Sequence, residues 1–323
     1  MPFRVLLDVA YVGNYGNRLE TQHDYSPLPL NYLSRSGVRD QAAANYLGAQ
    51  VANPFFGLLP GTGLAGQTVS RSYLLRSGNY SGFTGLTARD YDGYTTYHSL
   101  QARVERRFSA GWTVNGTYTW SKNMEALNRL NGYLDQLEYV ISDQDRPHRL
   151  VLSGLWELPF GRGKHFLSSG AALDKFVGGW QVQGIFTGQG GNPVQWWGDN
   201  FFRGNVNDIT LPRSQRNVAH WFNVNAGFER NPALQPVAHF RTFPSRLSDV
   251  RADGINTMNL SVLKNTSLRE NLKLQFRVEF LNALNHPMFD QPWDTNPSSS
   301  TFGIIFGQKG TPRQIQLGFK LLF

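Results

Sequence analysis

Gln314-Ile-Gln-Leu-Gly-Phe-Lys-Leu-Leu-Phe323 is the stretch from which the fold can be read. Ile315, Leu317, Phe319, Leu321 and Phe323 alternate with Gln314, Gln316, Gly318, Lys320 and Leu322. A period of two turns successive side chains of a β-strand to opposite faces, so this strand is apolar on one side. Leu272, Leu274, Phe276, Val278 and Phe280 interleave with Lys273, Gln275, Arg277 and Glu279 by the same rule. So do Leu100, Ala102, Val104 and Phe108 against Gln101, Arg103, Glu105 and Arg107, followed by Trp112, Val114, Tyr118 and Trp120 against Thr113, Asn115, Thr117 and Thr119. Ala110 and Gly111 join that pair as a hairpin turn.

Weaker alternation runs through Phe3–Val12, His148–Phe160, Gly179–Gly190 and Asn256–Ser267, for about eight strands in all. Each is near the 9–11 residues with which a tilted strand crosses a bilayer. The connections alternate as well. Long segments follow Val12, Trp120, Gly190 and His286, whereas Ala110–Gly111, Gly161–Gly178 and Leu268–Asn271 are shorter. Brief turns at one end and extended loops at the other describe an antiparallel up-and-down meander, a partial outer-membrane β-barrel.

Composition agrees. The 323 residues carry 31 Lys+Arg and 23 Asp+Glu, a formal net charge of +8, with 17% charged and 13% aromatic residues. No run approaches the roughly 18 apolar residues of a membrane-spanning helix, and mean hydropathy is −0.38, as alternating strands require. The absence of cysteine excludes a disulfide scaffold, thiolate metal sites and a cysteine nucleophile. Met1–Ala10 is broken by Arg4 and Asp8 and has no small-residue cleavage site, which is not the pattern of a secretory signal peptide.

Once strand directions are assigned, Phe108, Trp112, Trp156, Phe160, Trp180 and Phe323 fall on the short-turn side, and Tyr94, Tyr97, Tyr118 and Trp120 on the other. Two aromatic girdles at the headgroup levels are expected of a barrel in lipid. Arg106 is the exception on the outward face, placed where a long side chain can snorkel. Arg103, Glu105, Arg107, Lys273, Gln275, Arg277 and Glu279 would then line a polar lumen, with cross-strand pairing of opposite charges.

The chain resembles the C-terminal part of the barrel of TonB-dependent outer-membrane receptors of the Oar-like type. The matching stretches include Tyr11–Leu19, Asn53–Gly57, Tyr97–Phe108, Tyr118–Lys122, Asp143–Arg149, Glu157–Lys164, Gly178–Gly188 and Leu274–Pro287, in order along nearly the whole chain. The resemblance implies that residues 1–323 form one portion of a larger barrel, without the plug and the upstream strands. It implies a non-enzymatic role in ligand capture and uptake across the outer membrane, needing partners rather than acting alone. The missing wall would come from another chain or from closure of the first strand on the last. Gln316, Gly318, Leu321 and Phe323 are similar to the terminal signal read by the barrel assembly machinery. The ligand of the outer loops is not specified.

Other chemistries fit less well. Gly61, Gly63 and Gly66 satisfy G-x-G-x-x-G, but Pro60 precedes them and no helical period follows. The histidines show no H-E-x-x-H spacing, and no cofactor or metal is expected. Asp143, Asp145, Arg146 and His148 form the densest polar cluster, placed at a loop–strand junction where capping is the commoner role. Basic residues are scattered among acids, which argues against a nucleic-acid partner; Arg203, Arg213 and Arg216 could instead meet an anionic lipid surface. The competing reading is a soluble or surface-attached β-rich carbohydrate-binding module that stacks sugars on Trp196, Trp197, Phe201 and Phe202.

Overall fold

The computed structural model describes residues 5–77, 85–167, 171–269 and 272–323. All eight expected strands are present: β1 (Val5–Asp24), β2 (Thr87–Ser109), β3 (Trp112–Ala126), β4 (His148–Glu157), β5 (Trp180–Gln189), β6 (Ile255–Arg269), β7 (Leu272–Leu281) and β8 (Gln314–Leu322). Each pairs antiparallel with its neighbours in chain order, giving one continuous meander. The expected start at Phe3 and the turn residues 270 and 271 lie outside the described residues.

The register keeps the two faces separate across the whole sheet. One row runs Val5, Arg106, Val114, Gly154, Gly184, Leu260, Phe280 and Ile315, with every member directly opposite the next. A row of the other parity runs Thr113, Leu155, Gln183, Ser261, Glu279 and Gln316. A one-residue slip anywhere would exchange the faces of all later strands. The β2–β3 turn helps to prevent it, because Ala110 and Gly111 both have positive φ (53° and 85°), the conformation of the tight turn whose twist matches paired strands.

Three boundaries differ from the sequence reading. β1 continues to Asp24 and β2 begins at Thr87, and the two stay paired from Asp24–Thr87 to Val5–Arg106. Their outer halves therefore project well past a bilayer, where polar residues such as Thr21, Asp90 and Asp92 hid the strand from a search for alternation. β4 stops at Glu157, so Leu158 and Phe160 belong to the following connection. That connection, 158–179, includes a helix (Ala171–Val177) and is no shorter than 127–147 on the opposite side, so loop length does not alternate strictly.

Among the described residues, no second layer packs on the apolar face. Leu7, Val9, Ile315, Leu317, Phe319 and Leu321 are each more than half exposed, Phe319 at 73%. A large apolar side chain left in water forgoes about 1.5–3 kcal/mol relative to burial, so this face is made for hydrocarbon. The packed core lies elsewhere, in the connections 190–254 and 282–313, and is built from Trp196, Trp221, Phe222, Phe228, Phe243 and Phe302 among others. Among the described residues β1 and β8 do not pair with each other, and the sheet is open at both edges.

Because the sequence contains no cysteine, single cysteines report each face. In outer-membrane fragments Arg277→Cys and Gln316→Cys should react with a polar maleimide, whereas Leu317→Cys and Phe319→Cys should react only with a lipid-soluble one. Equal labelling of both pairs by the polar reagent would overturn the assigned faces.

Candidate functional site: polar sheet face and loop cap

The residues expected in the lumen do share one side of the sheet. Arg103 donates to Glu105 at 2.7 Å, and Arg107 lies 3.7 Å from the same carboxylate. Arg277 lies 3.4 Å from Glu279 and donates to Gln275 at 3.3 Å, and Gln275 donates to Asn265 of β6 at 2.9 Å. The charges are therefore paired along each strand at spacing two, not across strands as expected. Register explains most of this: Thr117 and Asn115 stand opposite Arg103 and Glu105 on β3, and Gly318 and Gln316 stand opposite Arg277 and Glu279 on β8; Asp8 of β1 does stand opposite Arg103, but the guanidinium turns to Glu105 instead. Lys273 is exposed on the same face.

Trp112, Trp120, Trp156 and Trp180 lie on the opposite face of the sheet, and Phe160 lies beyond the end of β4. Trp112 and Trp156 are direct partners, and Trp180 is half-buried at the same end, opposite Lys264. Phe108 and Trp120 are exposed, and Phe160 sits in a connection with its ring centroid 5.9 Å from that of Phe166. Trp112 and Trp120 are eight residues apart on β3, about 26 Å along the strand and so about 20 Å of height at a tilt near 40°, within an apolar membrane band of about 25 Å. Arg106 is held by Trp112: its guanidinium lies 3.3 Å from the ring centroid and donates to the Trp112 carbonyl at 3.0 Å. Lys264 is a second outward cation that sequence reading missed, tethered to the Gly178 carbonyl beside Trp180.

On β8 Gln316, Gly318 and Leu321 stand opposite Glu279, Arg277 and Leu274, and Phe323 is fully exposed just beyond the strand. The glycine motif at 61–66 is followed by a short strand (Thr68–Ser70), so no helix N-terminus meets it.

Above the outer strand ends the loops form a folded cap. Trp196 is fully buried, stacked with Phe228 at 5.3 Å between centroids and edge-on to Phe243 at 5.3 Å, while Phe201 is buried and Phe202 partly buried against the same core. Only Trp197 projects outward, at 74% exposure. The aromatic platform expected of a sugar-binding module is therefore a hydrophobic core, because adjacent loop residues point opposite ways and sequence alone does not say which is inside.

The cap is fastened to the polar side of β3. Glu125 receives Arg246 at 2.6 Å and the Ser142 hydroxyl at 2.5 Å, and Arg246 also donates to the Ile141 carbonyl at 3.1 Å and to Gln195 at 2.6 Å. Both members of the ion pair are buried. Asp145, also buried, accepts the Asn123 N–H at 2.7 Å and Arg251 at 2.7 Å. Among the described residues Arg146 donates to the carbonyls of Asp143 and Asp145, and the Asp143 side chain is exposed, so the cluster serves as a junction in which both carboxylate oxygens of Asp145 are committed to structure. Arg241 knits the core by donating to the carbonyls of Trp196, Trp197 and Phe243.

Between these anchors lies a polar cavity of about 540 Å³ whose lining includes Arg129, Arg146, Arg241, Arg246, Glu138 and Trp197. Burial, reinforced by the charge of Arg251, pushes the Arg146 pKa below the ordinary guanidinium value. Burial does the same to Arg241, opposed by Glu138 and Asp199. Partly desolvated donors around a space of this size can hold a small polar ligand. Of these donors only Arg146 stands in a cluster visible in the sequence; Arg129, Arg241 and Arg246 are brought to it from distant positions by the fold.

A lone antiparallel meander, apolar and bare on one side, polar on the other and cored only in its loops, defines an outer-membrane β-barrel protein. A family model described as outer membrane beta barrel domain matches residues 1–316, and the chain belongs to that family. It is 26% identical over 278 residues to the TonB-dependent transporter Oar of Myxococcus xanthus, a match covering 75% of this chain and 24% of Oar. The chain thus spans about a quarter of that relative's length. Among solved structures it is similar to the outer membrane transporter YddB from Escherichia coli, with a TM-score of 0.41 and 11% identity over 98% of this chain and 30% of that one.

Removing one partner of a buried ion pair leaves an uncompensated charge, so Arg246→Met should destabilise the cap by about 3–5 kcal/mol in urea unfolding of the detergent-held protein. Trp196→Ala should cost about as much through the cavity it leaves. Trp197→Ala should change stability by roughly 0.5 kcal/mol or less. Similar losses at the two tryptophans would contradict the cap's assigned interior.

Proposed function

We propose that the chain is a non-enzymatic segment of a transporter wall, in which the loop cap captures a ligand that passes along the polar face of the sheet. The observation that carries this reading is a ligand-sized polar cavity in a rigidly cored cap, anchored through Glu125 and Asp145 to a polar sheet face whose reverse side is bare hydrocarbon-compatible surface. Similarity to the transporter Oar supports it. No side-chain arrangement on the polar face or in the cap calls for a catalytic role: the most buried carboxylates, Glu125 and Asp145, are fully engaged in holding loops.

In this reading the two free edges are completed by strands outside those described. An unpaired backbone group in hydrocarbon costs several kcal/mol, so neither edge is left open in the membrane. The last strand delivers the segment to the barrel assembly machinery through Gln316, Gly318, Leu321 and the terminal ring of Phe323.

Comparing cells with and without the gene, each with and without a collapsed proton-motive force, tests transport. Uptake from a panel of iron chelates, cobalamin, oligosaccharides and peptides should include at least one compound lost in both the deletion and the de-energised cells. Uptake of the whole panel unchanged by deletion counts against the reading. For assembly, removing Phe323 should lower the fraction of heat-modifiable folded protein in outer-membrane fractions severalfold; undiminished folding would exclude a signalling role for that ring.

A further inference from the structure

Two features that capture and transport do not use meet on the lipid-facing side. The first is an open apolar trough of about 660 Å³. It exists because Gly154 and Gly184 are direct partners on β4 and β5, so two adjacent side chains are missing from an otherwise filled row. Leu152 and Phe186 wall it on the outer side, Trp156 and Val182 on the inner side.

The second is a cavity of about 560 Å³ immediately outward, which shares Phe186 with the trough. It sits at the row of Gly188 and Asn256, the row that holds the girdle residue Tyr118. Arg213 and Arg216 reach it from the β5–β6 loop, and among the described residues neither has a carboxylate within ion-pair distance. Arg216 donates to the Leu211 carbonyl at 2.7 Å, and burial, then repulsion from Arg213, lowers its pKa against the pull of Asp253. Arg251 also lines the space but is neutralised by Asp145 at 2.7 Å. The lining carboxylate, Asp253, has one oxygen on the Gly254 N–H and the other on the Phe289 N–H, each at 3.0 Å. His286, in the same lining, has a buried Nδ1 without a hydrogen-bond partner. Two guanidiniums against one committed carboxylate leave a surplus of positive charge at the headgroup level.

We propose that trough and cavity together seat one membrane lipid with a phosphorylated headgroup, an acyl chain lying over Gly154 and Gly184 and the phosphate held by Arg213 and Arg216. Guanidinium matches phosphate with paired, charge-assisted hydrogen bonds. The trough alone would accept any alkyl chain and the arginines any phosphate; their junction at Phe186 selects a molecule that has both.

The test is native mass spectrometry of the full chain after exchange from vesicles containing phosphatidic acid into detergent, with diacylglycerol of identical chains and inorganic phosphate as competitors. The wild type should retain phosphatidic acid and resist both competitors. Arg213→Gln with Arg216→Gln should lower retention about tenfold or more, as loss of charge-assisted hydrogen bonds predicts. Gly184→Leu should also lower it: a side chain there meets only ordinary contacts, 3.4 Å or more away, and fills the trough. Unchanged heat-modifiable mobility establishes folding of each variant, and exposed Arg213→Gln alone serves if the double variant misfolds. Retention unaffected by the arginine changes, equal retention of diacylglycerol, or displacement by inorganic phosphate with Gly184→Leu silent would each overturn the proposal.

Discussion

The structure depends on one constraint: in hydrocarbon every backbone N–H and C=O must find its partner within protein, and every outward side chain must be apolar. A period of two meets both demands only if the register is kept through all strands, as the unbroken row from Val5 to Ile315 shows. The outward cations respect the same rule. Arg106 and Lys264 lie at the inner girdle, each tied to a backbone carbonyl beside a tryptophan, where a long side chain can leave the lipid.

The placement of the core follows. A soluble sandwich buries the apolar sides of its strands against each other, whereas here that side is already solvated by lipid and needs no protein cover. The loops have no such solvent. Segments that stand in water and must hold a shape need their own interior, and the cluster around Trp196 supplies it. Buried polar anchors then set its position: Glu125–Arg246 and Asp145–Arg251 tie the 190–254 loop to β3 and its following turn, making the cap an extension of the wall.

The strands were legible because alternation is local. Leu272–Phe280 and Gln314–Phe323 show their two faces without reference to any neighbour. The outer halves of β1 and β2 were not, since beyond the lipid they lose the apolar half of the pattern and are held by backbone pairing and by polar side-chain pairs such as His23–Asp90, Arg89–Glu20 and Arg129–Asp90. The cap was the least legible. Trp196 and Trp197 are identical to a sequence reader, yet one is the centre of a core and the other faces out, because loop orientation is set by contacts with residues 222–243 and 302. The polar residues at 103–107 and 273–279 share one face, but their charges pair along the strand and not across it, since pairing depends on register and register does not show in either strand by itself.

The chemistry of the polar face also bears on how wide the finished barrel is. Arg103, Arg107, Arg149, Lys273, Arg277 and Lys320 share that face with Asp8, Glu105, Glu157, Glu279 and Glu125, the last already neutralised by Arg246 of the cap, so strand cations outnumber the acids left to them and several are exposed. Closing eight strands on themselves would leave an interior just wide enough for side chains, and unmatched charges in such a dry space cost several kcal/mol each. In a wide, water-filled lumen they cost little, and pairing along each strand at spacing two is then sufficient. The surplus charge and the intra-strand pairs thus suit a polar face in contact with water.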